Sequence, residues 1–170
     1  MGEEIVNRVA NSQLQTIDLE EHYPEGKRVL LDIKHWLFQE IALRESDFRT
    51  HLKQHDWSQY DTSFVALHCS SDAIIPSWAY MLITTYLAPY AQKIIVGNLT
   101  DLESAVFNDV INEFPIENYN DKPVIIKGCS HKSIPETAYA SLVKKLMPVA
   151  RSVMFGEACS SVPLYKKKKA

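Results

Sequence analysis

The chain has 170 residues, of which 46% are hydrophobic and 23% charged, with a formal net charge of −3 and a pI near 6.1. That length suits one domain burying roughly 70% of its unfolded surface, and the composition is that of a globular protein. The charge excludes nucleic-acid binding through overall basicity, and three cysteines, an odd count, argue against a disulfide framework.

Met1-Gly2-Glu3-Glu4 has acidic residues where a secretory signal carries basic ones, so a cytoplasmic protein is expected. Residues 73–92 carry no charge, but Pro76 and Pro89 interrupt them and Ser77, Thr84 and Thr85 dilute them. What remains is shorter than the ~20 residues a bilayer needs, so a buried core helix is the expectation and a membrane partner is not.

In chain order, Ile5, Val6 and Val9 predict a short helix. Leu14, Ile17 and Leu19 alternate with polar residues as in an edge strand. Pro24-Glu25-Gly26 is a turn, and a strand follows over 29–33. Ser46 is the expected N-cap of a helix carrying Phe48 and Leu52 and ending near His55. Strands are expected at 64–67, 94–96, 124–126 and 153–155, and helices at 76–87 and 135–146. Thr100-Asp101-Leu102-Glu103 reads as a capping box opening a helix with Leu102, Val106 and Val110 on one face. Alternating strands and helices predict a single α/β domain over 1–165, with a mainly parallel sheet, helical crossovers and a less regular N-terminal segment. Residues 166–170 are expected to be a disordered basic tail, its Lys166 to Lys169 solvated, or touching nucleic acid or an acidic partner.

An internal repeat is visible over about 64–97 and 124–156. Cys69-Ser70, a short loop and Ile75-Pro76-Ser77-Trp78-Ala79-Tyr80 match Cys129-Ser130, a loop one residue shorter and Ile134-Pro135-Glu136-Thr137-Ala138-Tyr139. Pro89 with Gly97 and Pro148 with Gly156 continue the match without a gap. Trp78, Tyr80 and Tyr139 are read as core residues.

Cys69 and Cys129 each follow a strand and precede a helix, and Cys159 follows the last predicted strand. Ligands of open α/β sheets bind outside the carboxyl ends of the strands, so all three thiols are expected on one edge. Helix N-termini favour thiolate. Three thiolates suit Zn²⁺ with a fourth ligand, or an iron–sulfur cluster with one open iron. His131 is the first candidate for that fourth ligand, with His68, Asp72 and Glu157 behind it. Competing readings are a metal-free thiol redox protein using Cys129 with Cys159, and a binding module with inert cysteines. An anion-handling cysteine loop would need an Arg, and neither Cys69 nor Cys129 is followed by one in its loop. His51 and His55 have helical i, i+4 spacing but no Glu beside His51, and a solvated helix face explains them.

Asp32-Ile33-Lys34 with Trp36-Leu37, Asp47-Phe48-Arg49, Asp72 through Trp78, Lys127-Gly128-Cys129-Ser130 and Gly156-Glu157-Ala158-Cys159-Ser160 resemble a domain of unknown function, number 2480, found in Bacteroidetes. The resemblance covers nearly the whole chain and is most specific at the two late Cys motifs. It implies a cytosolic protein without an assigned activity, encoded near iron–sulfur assembly genes. Iron–sulfur assembly proteins are therefore the implied partners, and a role in iron–sulfur or metal homeostasis the implied function. Catalysis, substrate and metal identity stay open, as does a homo-oligomer.

Overall fold

Short runs of branched apolar residues form the parallel strands, because such side chains pack well on a pleated surface covered on both faces. The computed structural model describes residues 13–128, 131–157 and 160–168. In it β3 (Phe64–His68) and β5 (Pro123–Ile126) are the most deeply covered strands, with Val65, Ala66, Leu67, Val124 and Ile126 all fully buried.

The parallel strands fall into two sheets. One has the order β2–β3–β4, with β2 (Arg28–Asp32) and β4 (Lys93–Val96) flanking β3. The other has the order β1–β5–β6–β7, with β1 (Gln15–Ile17), β6 (Ser152–Glu157) and β7 (Ser160–Lys166); its one antiparallel pair is β6 with β7. Each sheet anchors a compact unit, one running from Pro24 to Val106, the other comprising residues up to Tyr23 and from Phe107 onward.

Helices supply the covering layers. In the first unit Phe48 and Leu52 of α1 (Glu45–Gln54) and Ala79, Ile83 and Leu87 of α2 (Ser77–Leu87) bury one face with Trp57 and Tyr60. Leu102 and Val106 of α3 (Leu99–Glu113) cover Phe64 and Ala66. In the second unit Phe107 and Ile111 of α3 pack with Ala138, Leu142 and Leu146 of α4 (Glu136–Leu146) around Val124 and Ile126. The architecture is thus α/β with mainly parallel strands. The uncharged run at 73–92 contains α2, and no described helix is long and apolar enough to cross a membrane.

Three local readings shift. The first turn of α1 has no side-chain cap: Ser46 lies inside the helix, and its hydroxyl meets Asp47 instead. The box that opens α3 begins two residues before Thr100. Asn98 Oδ1 accepts from the backbone N–H groups of Thr100 and Asp101, and Asp101 Oδ2 accepts from Asn98 N–H. That frees Glu103 to pair with Arg28 at 2.7 Å. The strand at 153–155 is followed by β7, whose last residue is Lys166; Lys167 N–H then donates to Arg151. The predicted helix around Ile5 to Val9 lies outside the described residues.

The two units repeat each other at a constant step of 59 residues. Leu67 pairs with Val96 as Ile126 pairs with Phe155. The buried Phe48, Leu52, Ala79, Ile83 and Leu87 have counterparts in Phe107, Ile111, Ala138, Leu142 and Leu146. Thr62 (φ 54°) and Asp121 (φ 51°) share a left-handed backbone, and their N–H groups donate to the equivalent carbonyls of Tyr90 and Val149. His55 stacks on Tyr60 at 5.6 Å, and Phe114 on Tyr119 at 5.8 Å. The strands β1 and β2 match at a step of 14: His22 meets Phe114 at 5.0 Å, and Trp36 meets His55 at 5.1 Å, both at 73°. The correspondence reaches back to α1 and the second half of α3, beyond the 64–97 and 124–156 segments. The step is the same on both sides of residues 129–130, and at that step Cys69 corresponds to Gly128.

Candidate functional site: the carboxyl edges of the parallel strands

In the unit built on β5 and β6, Asp18 directly follows β1. Its carboxylate accepts Glu20 N–H at 2.9 Å, capping a single 3-10 turn over Leu19–His22. It also receives Lys127 Nζ at 2.7 Å. Burial pushes the Asp18 carboxyl up, but the Lys127 and Glu20 hydrogen bonds outweigh it and hold the group below the usual aspartate range. The same bond raises Lys127, with Glu157 and Glu20 adding attraction from nearby. Glu20 Oε2 accepts the backbone N–H of His131 at 3.1 Å, fixing the loop that leaves this edge. Tyr139 meets the Phe155 ring edge-on at 5.7 Å, and a Cβ on Gly128 would lie 2.8 Å from that ring. Gly128 is therefore required by close packing at the strand end.

Cys129 and Cys159 lie outside the described residues. The strands before them are described: Ile126 and Phe155 are registered partners on adjacent parallel strands, three residues before Cys129 and four before Cys159.

In the other unit Asp32 holds the corresponding place. It accepts Lys34 N–H at 3.0 Å and Ser70 N–H at 3.1 Å, joining the ends of β2 and β3. Burial raises its carboxyl; the Ser70 and Lys34 hydrogen bonds and the nearby His68 more than compensate, and it too sits low. Cys69 is half-buried against the core, its Sγ 3.3 Å from Ser71 Oγ. Lys34 Nζ pairs with Glu40 at 3.0 Å, and His35 Nδ1 reaches the same carboxylate at 3.0 Å. Lys34, Glu40, Ser70, Ser71 and Asp72 line a cavity of about 390 Å³. Its neighbour, of about 710 Å³, runs from Ile41 to Trp78 and shares Asp72 with it.

The predicted ligands distribute accordingly. Cys69, His68 and Asp72 belong to the unit of β2–β4, and His131 and Glu157 to that of β5–β6. Among the described residues no three His, Cys, Asp or Glu side chains stand close enough to hold a metal ion. His51 is exposed on α1; His55 lies just beyond its end, its ring 2.8 Å from Tyr60 Oη. Trp78 packs edge-on to Phe48, as a core residue does. The sequence reading missed Asp18, and it reached Asp32, Lys34 and Lys127 only through family resemblance. The residue signal for both aspartates was present: an Asp between two apolar residues at the end of a strand, in Ile17-Asp18-Leu19 and Leu31-Asp32-Ile33.

A family model described as a protein of unknown function (DUF2480) matches residues 3–167. No curated protein and no solved structure matches the chain.

Proposed function

The chain belongs to the DUF2480 family, and from that premise we propose that it binds a thiophilic metal centre, Zn²⁺ or an iron–sulfur cluster, through Cys129 and Cys159, in the service of metal or iron–sulfur homeostasis. The register of β5 with β6 carries this reading. Adjacent strands run about 4.8 Å apart, and each cysteine is tethered within four residues of the registered pair Ile126 and Phe155. Two thiols on such short tethers from neighbouring strand ends suit ligands of one ion. Glu20 and Asp18 already hold protein partners, and the side chains of His131 and Glu157 are the further donors we propose from that unit. Cys69 is the third thiol to be tested.

The experiment is metal and acid-labile sulfide content, with the visible spectrum, on full-length protein purified without oxygen. Near-stoichiometric zinc, or iron with sulfide, that disappears in Cys129→Ser and in Cys159→Ser is the expected result. Loss in Cys69→Ser as well would assign a three-thiolate centre. Metal-free wild-type protein would sink the proposal. The same register favours a second reading, a metal-free thiol pair cycling with a disulfide. In that case mild oxidation would remove two titratable thiols without any metal being present.

A further inference from the structure

Two cavities open in the unit running from Pro24 to Val106, between the chain that follows β2 and the chain that follows β3. The carboxyl ends of parallel strands are where open α/β sheets take ligands. The cavities share Ile41, Asp72 and Ala73, and so form one site with two ends. The larger, of about 710 Å³, has Leu43, Pro76 and Trp78 in its walls. Ile41 and Ile74 line it as well, and they are 68% and 93% exposed. The smaller, of about 390 Å³, is polar, with Lys34, Gln39, Glu40, Ser70 and Ser71 around it. Gln39 (φ 49°) and Glu40 (φ 61°) build that wall from two consecutive left-handed residues. Such backbone is uncommon outside glycine and clusters at ligand clamps and active sites.

The charges of this site match within the chain except at one place. Lys34 Nζ pairs with Glu40 at 3.0 Å, and His35 reaches the same carboxylate. Glu45, in the larger cavity, holds Arg49 at 2.8 Å. Arg49 also lies over the Trp78 ring at 5.9 Å, and Arg44 over that of Phe38 at 3.1 Å. Asp72, which lines both cavities, has no hydrogen bond or ion pair among the described residues.

We propose that this edge binds a small organic cation, with a primary ammonium group at Asp72 and an apolar body of about phenyl size between Ile41, Leu43, Pro76 and Trp78. Charge complementarity selects the cation. The other two carboxylates of the site are matched by Lys34 and Arg49, so Asp72 leaves one negative charge for a ligand to answer. An ammonium group donates up to three hydrogen bonds, and the Ser70 hydroxyl and the Gln39 side-chain carbonyl are neutral acceptors lining the same cavity. The walls select the body, because covering Ile41 and Ile74 removes exposed apolar surface from water. An anion of the same shape would meet Asp72 with like charge. The site is independent of Cys129 and Cys159, since none of its residues belongs to the unit built on β5 and β6.

The test is a titration of isotope-labelled full-length protein with phenethylammonium at neutral pH and low salt, followed by amide chemical shifts. Hydrocinnamate, an anion of similar size, and ethylammonium, which lacks the body, are titrated beside it. The expected result is a saturable set of shifts from phenethylammonium at residues 39–43 and 70–78, with both comparison ions binding about fivefold more weakly or worse. Asp72→Asn replaces an exposed side chain that breaks no contact among the described residues. It should weaken phenethylammonium roughly threefold to fivefold and remove the preference over hydrocinnamate. Absence of saturable shifts with phenethylammonium, or shifts centred elsewhere, would overturn the proposal. Equal affinity for hydrocinnamate in wild type would overturn it without any variant, and so would undiminished affinity in folded Asp72→Asn.

Discussion

Lys127 Nζ lies 2.7 Å from Asp18 Oδ2, so the residue that follows β5 is tied to the residue that follows β1. The bond joins residues 109 positions apart in sequence and also engages the group that caps the Leu19–His22 turn. Asp18→Ala removes the cap and the counter-charge together and is expected to cost about 1 kcal/mol of stability at neutral pH. The folded-state carboxyl is held below its ordinary value, so this stability is present above the unfolded aspartate range near pH ~4 and is lost as pH falls through the folded value. Urea denaturation of wild type and Asp18→Ala at pH 7 and again near pH 3 checks this: the difference between them should shrink at the lower pH.

His55 gives the opposite chemistry with the same sign. Its ring is stacked on Tyr60 and lies against Trp36 and Trp57, and burial lowers its pKa despite the pull of Asp56. A histidine kept neutral by its surroundings binds fewer protons folded than unfolded. Stability is therefore full above the unfolded value of about 6.5 and declines as pH falls from there through the folded value. In the other unit phenylalanine occupies this place, Phe114 on Tyr119. His55→Phe should remove the pH dependence in that window. At neutral pH it should cost about 1 kcal/mol, because Tyr60 Oη loses its 2.8 Å partner in a buried setting. Thermal melts at pH 5.5 and pH 8 distinguish the two: wild type should differ between them more than the variant does.

The α/β pattern was legible because buried parallel strands and their helices announce themselves locally, by apolar runs such as Val65-Ala66-Leu67 and by the spacing of Ala79, Ile83 and Leu87. What was not legible was non-local. Nothing in β1, three residues long, says that it pairs with β5, more than a hundred residues later. β7 was hidden for another reason: Pro163 breaks its pattern, and Val162 and Leu164 lie exposed, so it lacks the apolar alternation of a half-buried strand. The cap of α3 was read at Thr100 because Thr-x-x-Glu is the commoner box, whereas Asn98 and Asp101 make the same reciprocal bonds. In the candidate site the cysteines drew attention as rare residues. Asp18 and Asp32 join strand ends; Asp18 drew no attention, and Asp32 entered only through the family resemblance.

Phe107 and Phe48 occupy equivalent places in the two units, both completely buried. Phe107→Ala leaves a cavity among Ile17, Ile111 and Leu142 and strips the edge-on contact from Tyr23 at 5.7 Å. A cost of about 3–5 kcal/mol is expected for this change, and a similar one for Phe48→Ala. Chemical denaturation measures both. A cost below about 1 kcal/mol, the range of ordinary surface changes, would show that the site is not packed as described.

Gly97 occupies a position of the repeat where a side chain is costly. It directly follows β4 at φ 153°, and its equivalent Gly156 sits within β6 at φ 119°. A Cβ at Gly97 would lie 2.6 Å from Asp101 Oδ2, the carboxylate that caps α3 through Asn98 N–H. Gly97→Ala therefore combines a conformation that L side chains avoid with displacement of the cap, and each contributes about 1 kcal/mol or more. Asp101→Ala removes the cap alone. If the two effects share the Asp101 carboxylate, the double variant should be less destabilised than the sum of the single ones, because in Asp101→Ala the space that the new Cβ needs is already vacant. A double-mutant cycle by urea denaturation reads this directly, and strict additivity would mean that the strain at Gly97 lies in its backbone and not in the meeting with Asp101.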